Sequence, residues 1–454
     1  MAYFDFIDTG NLRSLSRRIE QADAIEPELY DKYEVKRGLR DISGRGVMAG
    51  LTDIGDVHSY IIEDGEMVPT PGKLYYRGQD VEELVAGFLR EDRYGFEETA
   101  YLLLFGILPT TAELAEFAAL LSQNRGLPED FVRDIIMKAP SHDLMNGLAR
   151  SILTLYSFDR NPDDCSIENV LRQSIQLIAN FPLLAVYSYN TYNHYFNGQS
   201  LVIHSPRPEL TTAANFLHML KKDNIFFEEE AKLLDLAMVL HAEHGGGNNS
   251  TFVTHVVTSS GTDSYSAVAA SLGSLKGPKH GGANIKVIQM FEDIKANISD
   301  WRNEEEIYAY LLKLLNKQAF DHSGLIYGIG HAVYSISDPR TEVLKQQAVK
   351  LAALKGMSAE MDLYLTVERL APQAIGQLRK IYKGVSANVD FYSGFVYKML
   401  DIPVELFTPI FAAARIVGWC AHRMEEIVNN GKIIRPAYKC VTKKKGYVAI
   451  GERE

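Results

Sequence analysis

From about residue 79 onward, apolar residues recur at three- and four-residue intervals, the spacing that lines one face of an α-helix. Just after Pro109, Thr110 and Glu113 form a capping box ahead of a stripe through Leu114, Phe117, Ala118 and Leu121, which predicts a helix start. Residues 229 to 244 predict another, whose apolar positions Leu233, Leu236 and Leu240 lead to His244 at the end of the buried face before Gly245-Gly246-Gly247 stops it. Tyr265, Val268, Leu272 and Leu275 predict a helix ended by Gly277-Pro278, and His280 follows in a glycine turn that opens the next, around Val287, Ile288, Phe291 and Ile294. Thr408-Pro409 opens a long helix through Ile410, Ala414, Val417, Ala421, Met424 and Val428, with Arg415 beside its seam and Asn429-Asn430-Gly431 as its cap.

Upstream the pattern differs. Tyr60-Ile61-Ile62, Glu63-Asp64-Gly65 and Leu74-Tyr75-Tyr76-Arg77-Gly78 predict a short β hairpin, the only convincing strand pair, and residues 1 to about 40 read as a polar arm. No fixed-period repeat marks a solenoid. The expected class is all-α with a small β hairpin near the N-terminus.

A chain of 454 residues suits two or three domains, or one large domain with a smaller one attached. Hydrophobic content of 46% and charged content of 23% are those of a soluble globular protein, and no run of 18 apolar residues spans a bilayer. Acids near Met1 stand where a signal peptide needs basic residues, and Leu12 to Arg18 only faintly resembles a presequence, so a cytoplasmic protein is expected. Cys165, Cys420 and Cys440 are too few and too scattered for a disulfide framework or a structural zinc site. A net charge of -11 disfavours nucleic acid, and Lys443-Lys444-Lys445 reads as a solvated tail. An anionic ligand would therefore need arginines gathered locally.

Three segments carry candidate chemistry: Gly277 to Asn284 around His280, Gly330 to Tyr334 around His331, and Asn388-Val389-Asp390. Each puts an acid–base group at a helix boundary. His280 stands just before a helix N-terminus, where exposed amides and the macrodipole favour the neutral imidazole as a hydrogen-bond donor. Gly281-Gly282 would let a substrate approach the backbone closely. Gly328-Ile329-Gly330 lacks the third glycine and the βαβ context of a dinucleotide loop. His241 and His244 resemble a metal-binding HxxH pair without a third ligand. Taken alone, Asp338-Pro339-Arg340 is a common turn and Asp390 is most simply an N-cap.

Together these residues carry a resemblance to the citrate synthase family, from about Leu39 to about Tyr438. It rests on six segments in family order: Leu240-His241-Ala242-Glu243-His244; Ser274 to Asn284 around His280; Gly330 to Tyr334 with Asp338-Pro339-Arg340; Asn388-Val389-Asp390; Ala414-Arg415; and Ile434-Arg435-Pro436. The resemblance implies His280, His331 and Asp390 as the catalytic three and His244, Arg340, Arg415 and Arg435 as the oxaloacetate ligands. It implies condensation with acetyl-CoA, a coenzyme A thioester as co-substrate, and no bound metal or redox cofactor. It also implies a homodimer, with Arg435 reaching into the partner's site. The implied domains are an arm (1–40), a large helical domain (41–285 and 396–440), a small mobile domain (286–395) and a tail (441–454). Departures from the family pattern are Glu243 where Asp is frequent, Gly245 to Gly247 in place of a more polar stretch, and Ala332 where many relatives carry Arg, which touches the coenzyme A neighbourhood. The nearest alternative is 2-methylcitrate synthase acting on propionyl-CoA; others are a metal-dependent hydrolase using His241 and His244, and a catalytically silent binding protein.

Overall fold

The computed structural model describes residues 12–41, 45–63, 66–330, 333–378 and 384–453. The chain forms two compact units, Met1–Leu51 and Thr52–Glu454. In the first, helices Leu12–Asp23 and Pro27–Lys32 precede a 3-10 turn at Arg37–Leu39. Pro27 occupies the first position of its helix, where its missing N–H costs nothing, and the Arg37 guanidinium lies 4.4 Å above the Tyr30 ring.

The second unit opens with the hairpin. Strand β1 (Gly55–Glu63) pairs antiparallel with β2 (Glu66–Tyr76), with Glu63 opposite Glu66 and a register shift between His58 and Tyr60. The sequence pattern placed Arg77-Gly78 in the second strand. Instead both take positive φ, 49° and 82°, and turn the chain into a two-residue strand, β3 (Gln79–Asp80). Asp80 then caps the helix Val81–Arg90 by accepting the Glu82 N–H.

The described residues contain seventeen α-helices and this one three-stranded sheet, so the class is all-α as expected. The capping box forms as read: Thr110 Oγ1 accepts from Glu113 N, and Glu113 Oε2 accepts from Thr110 N at 2.7 Å. The centre of the unit is the helix Phe407–Val428, packed against Ile167–Asn197, Asn249–Thr258 and Glu228–His241. By length and apolarity Val404–Val428 passes for a membrane span, which the sequence reading had not anticipated; 83% of its most apolar window is buried within the protein, as in a core helix. Arg415, expected beside the seam, is fully buried. Asn430, with φ of 47°, takes the left-handed position after this helix rather than Gly431.

Candidate active site

Four elements of the second unit bring the candidate residues together. The helix Glu228–His241 ends three residues earlier than the apolar spacing predicts, so His244 lies in the turn that follows. Side chains from elsewhere take up its last carbonyls. Tyr76 Oη lies 3.0 Å from Val239 O and 3.2 Å from Glu243 O, and Arg415 Nε donates to His241 O at 2.6 Å. Gly245 reverses the chain with φ of 81°, and its N–H donates to the Glu243 carboxylate. His244 is nonetheless buried, its ring edge-on to Tyr334 at 5.6 Å.

This bend sits against Gly418 of the central helix. A Cβ there would stand 2.5 Å from Ala242 O and closer still to Glu243 Oε2. Gly418→Ala is therefore expected to lower unfolding free energy by about 2–3 kcal/mol, the usual cost of overpacking against backbone. Chemical denaturation checks this, and a loss under about 0.5 kcal/mol, the range of a neutral surface change, would mean that the helices separate freely.

His280 occupies the turn between helices Ser264–Leu275 and Ala283–Asn297. The turn is tied back tightly. Gly281 N donates to Leu275 O at 2.9 Å, and Thr408 Oγ1 donates to Gly281 O at 3.0 Å. The imidazole pKa is pushed down to about 4, first by burial and then by the positive charge of Arg415. The direction is that expected from the sequence, but the cause is burial and a neighbouring cation. A neutral ring has one N–H, and Ser250 decides where it sits. Ser250 Oγ accepts from Trp419 Nε1 at 3.2 Å and lies 3.1 Å from His280 Nε2 and 3.0 Å from Asn248 Oδ1. With its single proton on Asn248, it accepts from Nε2–H; turned to Nε2, it leaves Nδ1–H to donate.

Asp390 does not cap its helix. Asn388 caps Val389–Met399, accepting Asp390 N–H at 3.0 Å, so the Asp390 carboxylate escapes that role. Burial raises its pKa to about 6; Arg340 and Arg415 pull it down and Asp338 adds to the rise. Asn388 also ties this segment to the one before His331: Asn388 Nδ2 donates to Gly330 O at 2.8 Å, Asn388 N to Gly328 O at 2.9 Å, and Gly330 N to Ser386 O at 2.8 Å. His331 and Ala332 themselves lie outside the described residues.

Asp338-Pro339-Arg340, a common turn by sequence, is a helix start. Asp338 caps Pro339–Leu354 and holds the Arg340 guanidinium with both carboxylate oxygens, at 3.0 and 2.7 Å. Tyr334 lies between two site residues, edge-on to His244 and 5.9 Å from the Arg340 guanidinium. Arg415 is buried to zero exposure 4.8 Å from the Phe411 ring, and its Nη1 and Nη2 make no hydrogen bond with the described residues. Burial lowers its pKa to about 10, which leaves it charged at neutral pH. Arg415 acts electrostatically on His280, His241 and Asp390, and Arg340 on the latter two, so these groups share one region.

Arg435 does not join them within the chain. It is exposed, and its neighbour Ile434 donates to Ser259 Oγ, just past the C-terminus of the helix that carries Ser250 at its start. Nine residue steps at helical rise separate Ser250 from Ser259, or about 13 Å.

The metal reading of His241 and His244 fails on electrostatics. His241 is fully buried edge-on to Phe411, and Arg340 and Arg415 disfavour any further cation beside it. Reading the sequence missed Ser250, which meets His280, and Trp419, which holds Ser250. Trp419 stands one turn after Arg415 on the same helix face, a legible signal; Ser250 gave none. A cavity of about 640 Å³ bordered by Arg160, Arg172 and Tyr265 contains none of the candidate residues.

This arrangement, a half-buried carboxyl poised near neutrality, a neutral imidazole and two buried guanidiniums on a helical frame, suits acid–base chemistry on an anionic substrate. A family profile described as "Citrate synthase, C-terminal domain" matches residues 39–437. The citrate synthase of Synechocystis sp. is 37% identical over 373 residues, 81% of this chain and 84% of the relative. A 2-methylcitrate synthase of Shewanella oneidensis is 32% identical, over 80% of this chain and 87% of its own. The solved citrate synthase of Thermotoga maritima superposes with a TM-score of 0.69 at 30% identity, covering 92% of this chain and 99% of that one. The chain belongs to the citrate synthase family.

Proposed function

We propose that the protein condenses acetyl-CoA with oxaloacetate and water to give citrate and coenzyme A. The observation that carries this reading is Asp390, a carboxyl relieved of capping duty by Asn388 and raised to about 6 within reach of Arg340 and Arg415. A base matched to neutral pH can take a proton from the thioester methyl group only if the enolate oxygen is stabilised as it forms. Neutral His280 donates that hydrogen bond. The enol carbon attacks the ketone of oxaloacetate, His331 protonates the ketone oxygen, and water cleaves the citryl thioester to release both products. Arg340, Arg415 and His244 hold the dianion, with Arg435 supplied by the other chain of a homodimer. No metal or redox cofactor is needed for this chemistry.

Residues 286–395 act as a small domain that closes over the large one, because oxaloacetate ties Arg340 to Arg415. Calorimetry is expected to show acetyl-CoA affinity at least about 10-fold higher with a saturating oxaloacetate analogue, a coupling of about 1.4 kcal/mol. Equal affinities would rule out closure by substrate.

The second reading is 2-methylcitrate synthase, favoured by the Shewanella relative. One methylene changes pocket preference by only about 1–3 kcal/mol. Initial rates with acetyl-CoA and propionyl-CoA side by side decide it: a higher kcat/KM for propionyl-CoA replaces the first reading, and turnover of neither rejects both.

A further inference from the structure

Beside the substrate residues, helices Asn249–Thr258 and Phe407–Val428 bring together a second set of acid–base groups that the condensation does not use. His255 Nε2 and His422 Nδ1 face each other at 3.1 Å, and Glu425 Oε2, one helical turn after His422, lies 3.7 Å from the latter. All three atoms fall within 4.8 Å of one another. The opposite nitrogen of each ring is already committed. His255 Nδ1 meets Glu426 Oε2 at 2.8 Å, and His422 Nε2 meets Glu243 Oε1 at 3.1 Å. Ionised carboxylates only accept, so both outer nitrogens carry protons. Burial works against charge on His422, but Glu243 and Glu425 outweigh it and raise its pKa to about 9, so a second proton on Nδ1 is directed at the lone pair of His255 Nε2. Glu425 Oε2, buried and too distant for a hydrogen bond, adds a third possible ligand atom, while Oε1 of the same carboxylate accepts Asp53 N–H at 2.8 Å.

A metal ion that displaces this proton would meet three lone pairs converging on one point. Tetrahedral zinc, with bonds of about 2.0–2.2 Å to nitrogen and oxygen, separates its ligand atoms by about 3.3–3.5 Å, between the two spacings here. A carboxylate behind each imidazole is the arrangement that fixes the tautomer of a metal-bound histidine. Gly246 leaves room: a Cβ there would touch both His255 Nε2 and His422 Cε1 at 3.6 Å. Charge agrees too. Glu243, Glu425 and Glu426 bring three negative charges against the positive charges of the His422 imidazolium and of Arg415, both of which act on Glu243. A divalent ion in place of the imidazolium proton closes the remaining difference.

We propose that His255, His422 and Glu425 bind a zinc-type divalent transition-metal ion, with water as fourth ligand. Its role is structural. Through His422 the ion anchors Glu243, and Glu243 holds the bend that carries His244.

The test uses the full chain, dialysed against a chelator and titrated with Zn²⁺ in competition with a chromophoric chelator, then with Co²⁺. One tight equivalent per chain and intense tetrahedral d–d absorption from Co²⁺ are expected. His255→Gln and Glu425→Gln, both at partly exposed positions, should each weaken Zn²⁺ binding by more than about 100-fold, and Glu426→Gln by about 10- to 100-fold as an outer partner. Far-UV circular dichroism establishes that each variant folds, and any one folded variant suffices. A wild-type protein without a tight equivalent would mean that a proton bridges the two rings and would overturn the proposal. Unchanged binding in a folded His255 or Glu425 variant would place the metal elsewhere and overturn it equally. Neither readout depends on condensation activity.

Discussion

Asp390→Asn is expected to lower kcat by about 10²- to 10⁴-fold, the range attributable to a lost general base, while oxaloacetate affinity stays the same or rises slightly. The amide keeps the shape of the side chain and leaves Arg340 and Arg415 in place, but it removes a negative charge that competes with the substrate for them. In the wild type, kcat/KM should climb with pH and level off above about 6 as the carboxyl ionises. His280, at about 4, remains neutral across that limb and adds none of its own. The same shift has a stability consequence of definite sign. Because the folded state holds this proton more tightly than the unfolded chain, the stability it confers is complete below about 4 and is lost as pH rises through about 6. Asparagine has no such dependence. Discounted for partial exposure, the stability gap between variant and wild type should move by on the order of 2 kcal/mol across that interval in favour of the variant. Turnover within a few-fold of wild type would eliminate Asp390 as the base; lost oxaloacetate binding with surviving chemistry would reassign it to the substrate.

Two separately inactive variants should regain activity when combined. His280→Ala removes the enol-stabilising donor, and Arg435→Ala removes a guanidinium that, within its own chain, is exposed beyond the far end of the helix starting near Ser250. If Arg435 serves the other subunit, one of the two sites in a mixed dimer combines an intact His280 with an intact Arg435. Per dimer, activity should then approach half that of the wild type, against a loss on the order of 10² or more in either parent for a buried charged contact to substrate. Co-expression with two different tags and tandem purification isolates the mixed species. Mixed dimers as inactive as both parents would show that Arg435 acts within its own chain, or not at all, and would remove the reason for a shared site.

Much of the fold was legible because helix periodicity is local. The stripe Tyr265, Val268, Leu272 and Leu275 marked the helix Ser264–Leu275, and Thr110 with Glu113 marked a start that the structure reproduces hydrogen bond for hydrogen bond. The failures share a cause. His244 looked like the last residue of a helix, but the helix stops at His241 because Tyr76 and Arg415, 163 and 174 residues away from the Val239 and His241 carbonyls they meet, claim its final carbonyl groups. Arg415 looked like a seam residue because a buried, charged guanidinium is expensive unless a carbonyl and an aromatic face receive it, and neither partner is visible at that point in the sequence. Asp390 looked like a cap because its competitor for that role, Asn388, is also a good capping residue; which of the two accepts the first N–H is a matter of backbone geometry.

By itself, the sequence determined the helical class, the hairpin, the succession of motifs around His280, His331 and Asp390, and the local supply of arginines in an acidic chain, since each depends on residue type and short-range spacing. The tertiary structure alone decided the protonation of the site and its supports. Burial beside Arg415 sets His280 near 4, burial against the pull of two guanidiniums sets Asp390 near 6, and Ser250 reaches His280 across 30 residues while Trp419 holds Ser250 across 169. Those quantities depend on desolvation and on distances between charges, and neither exists until remote parts of the chain have packed together.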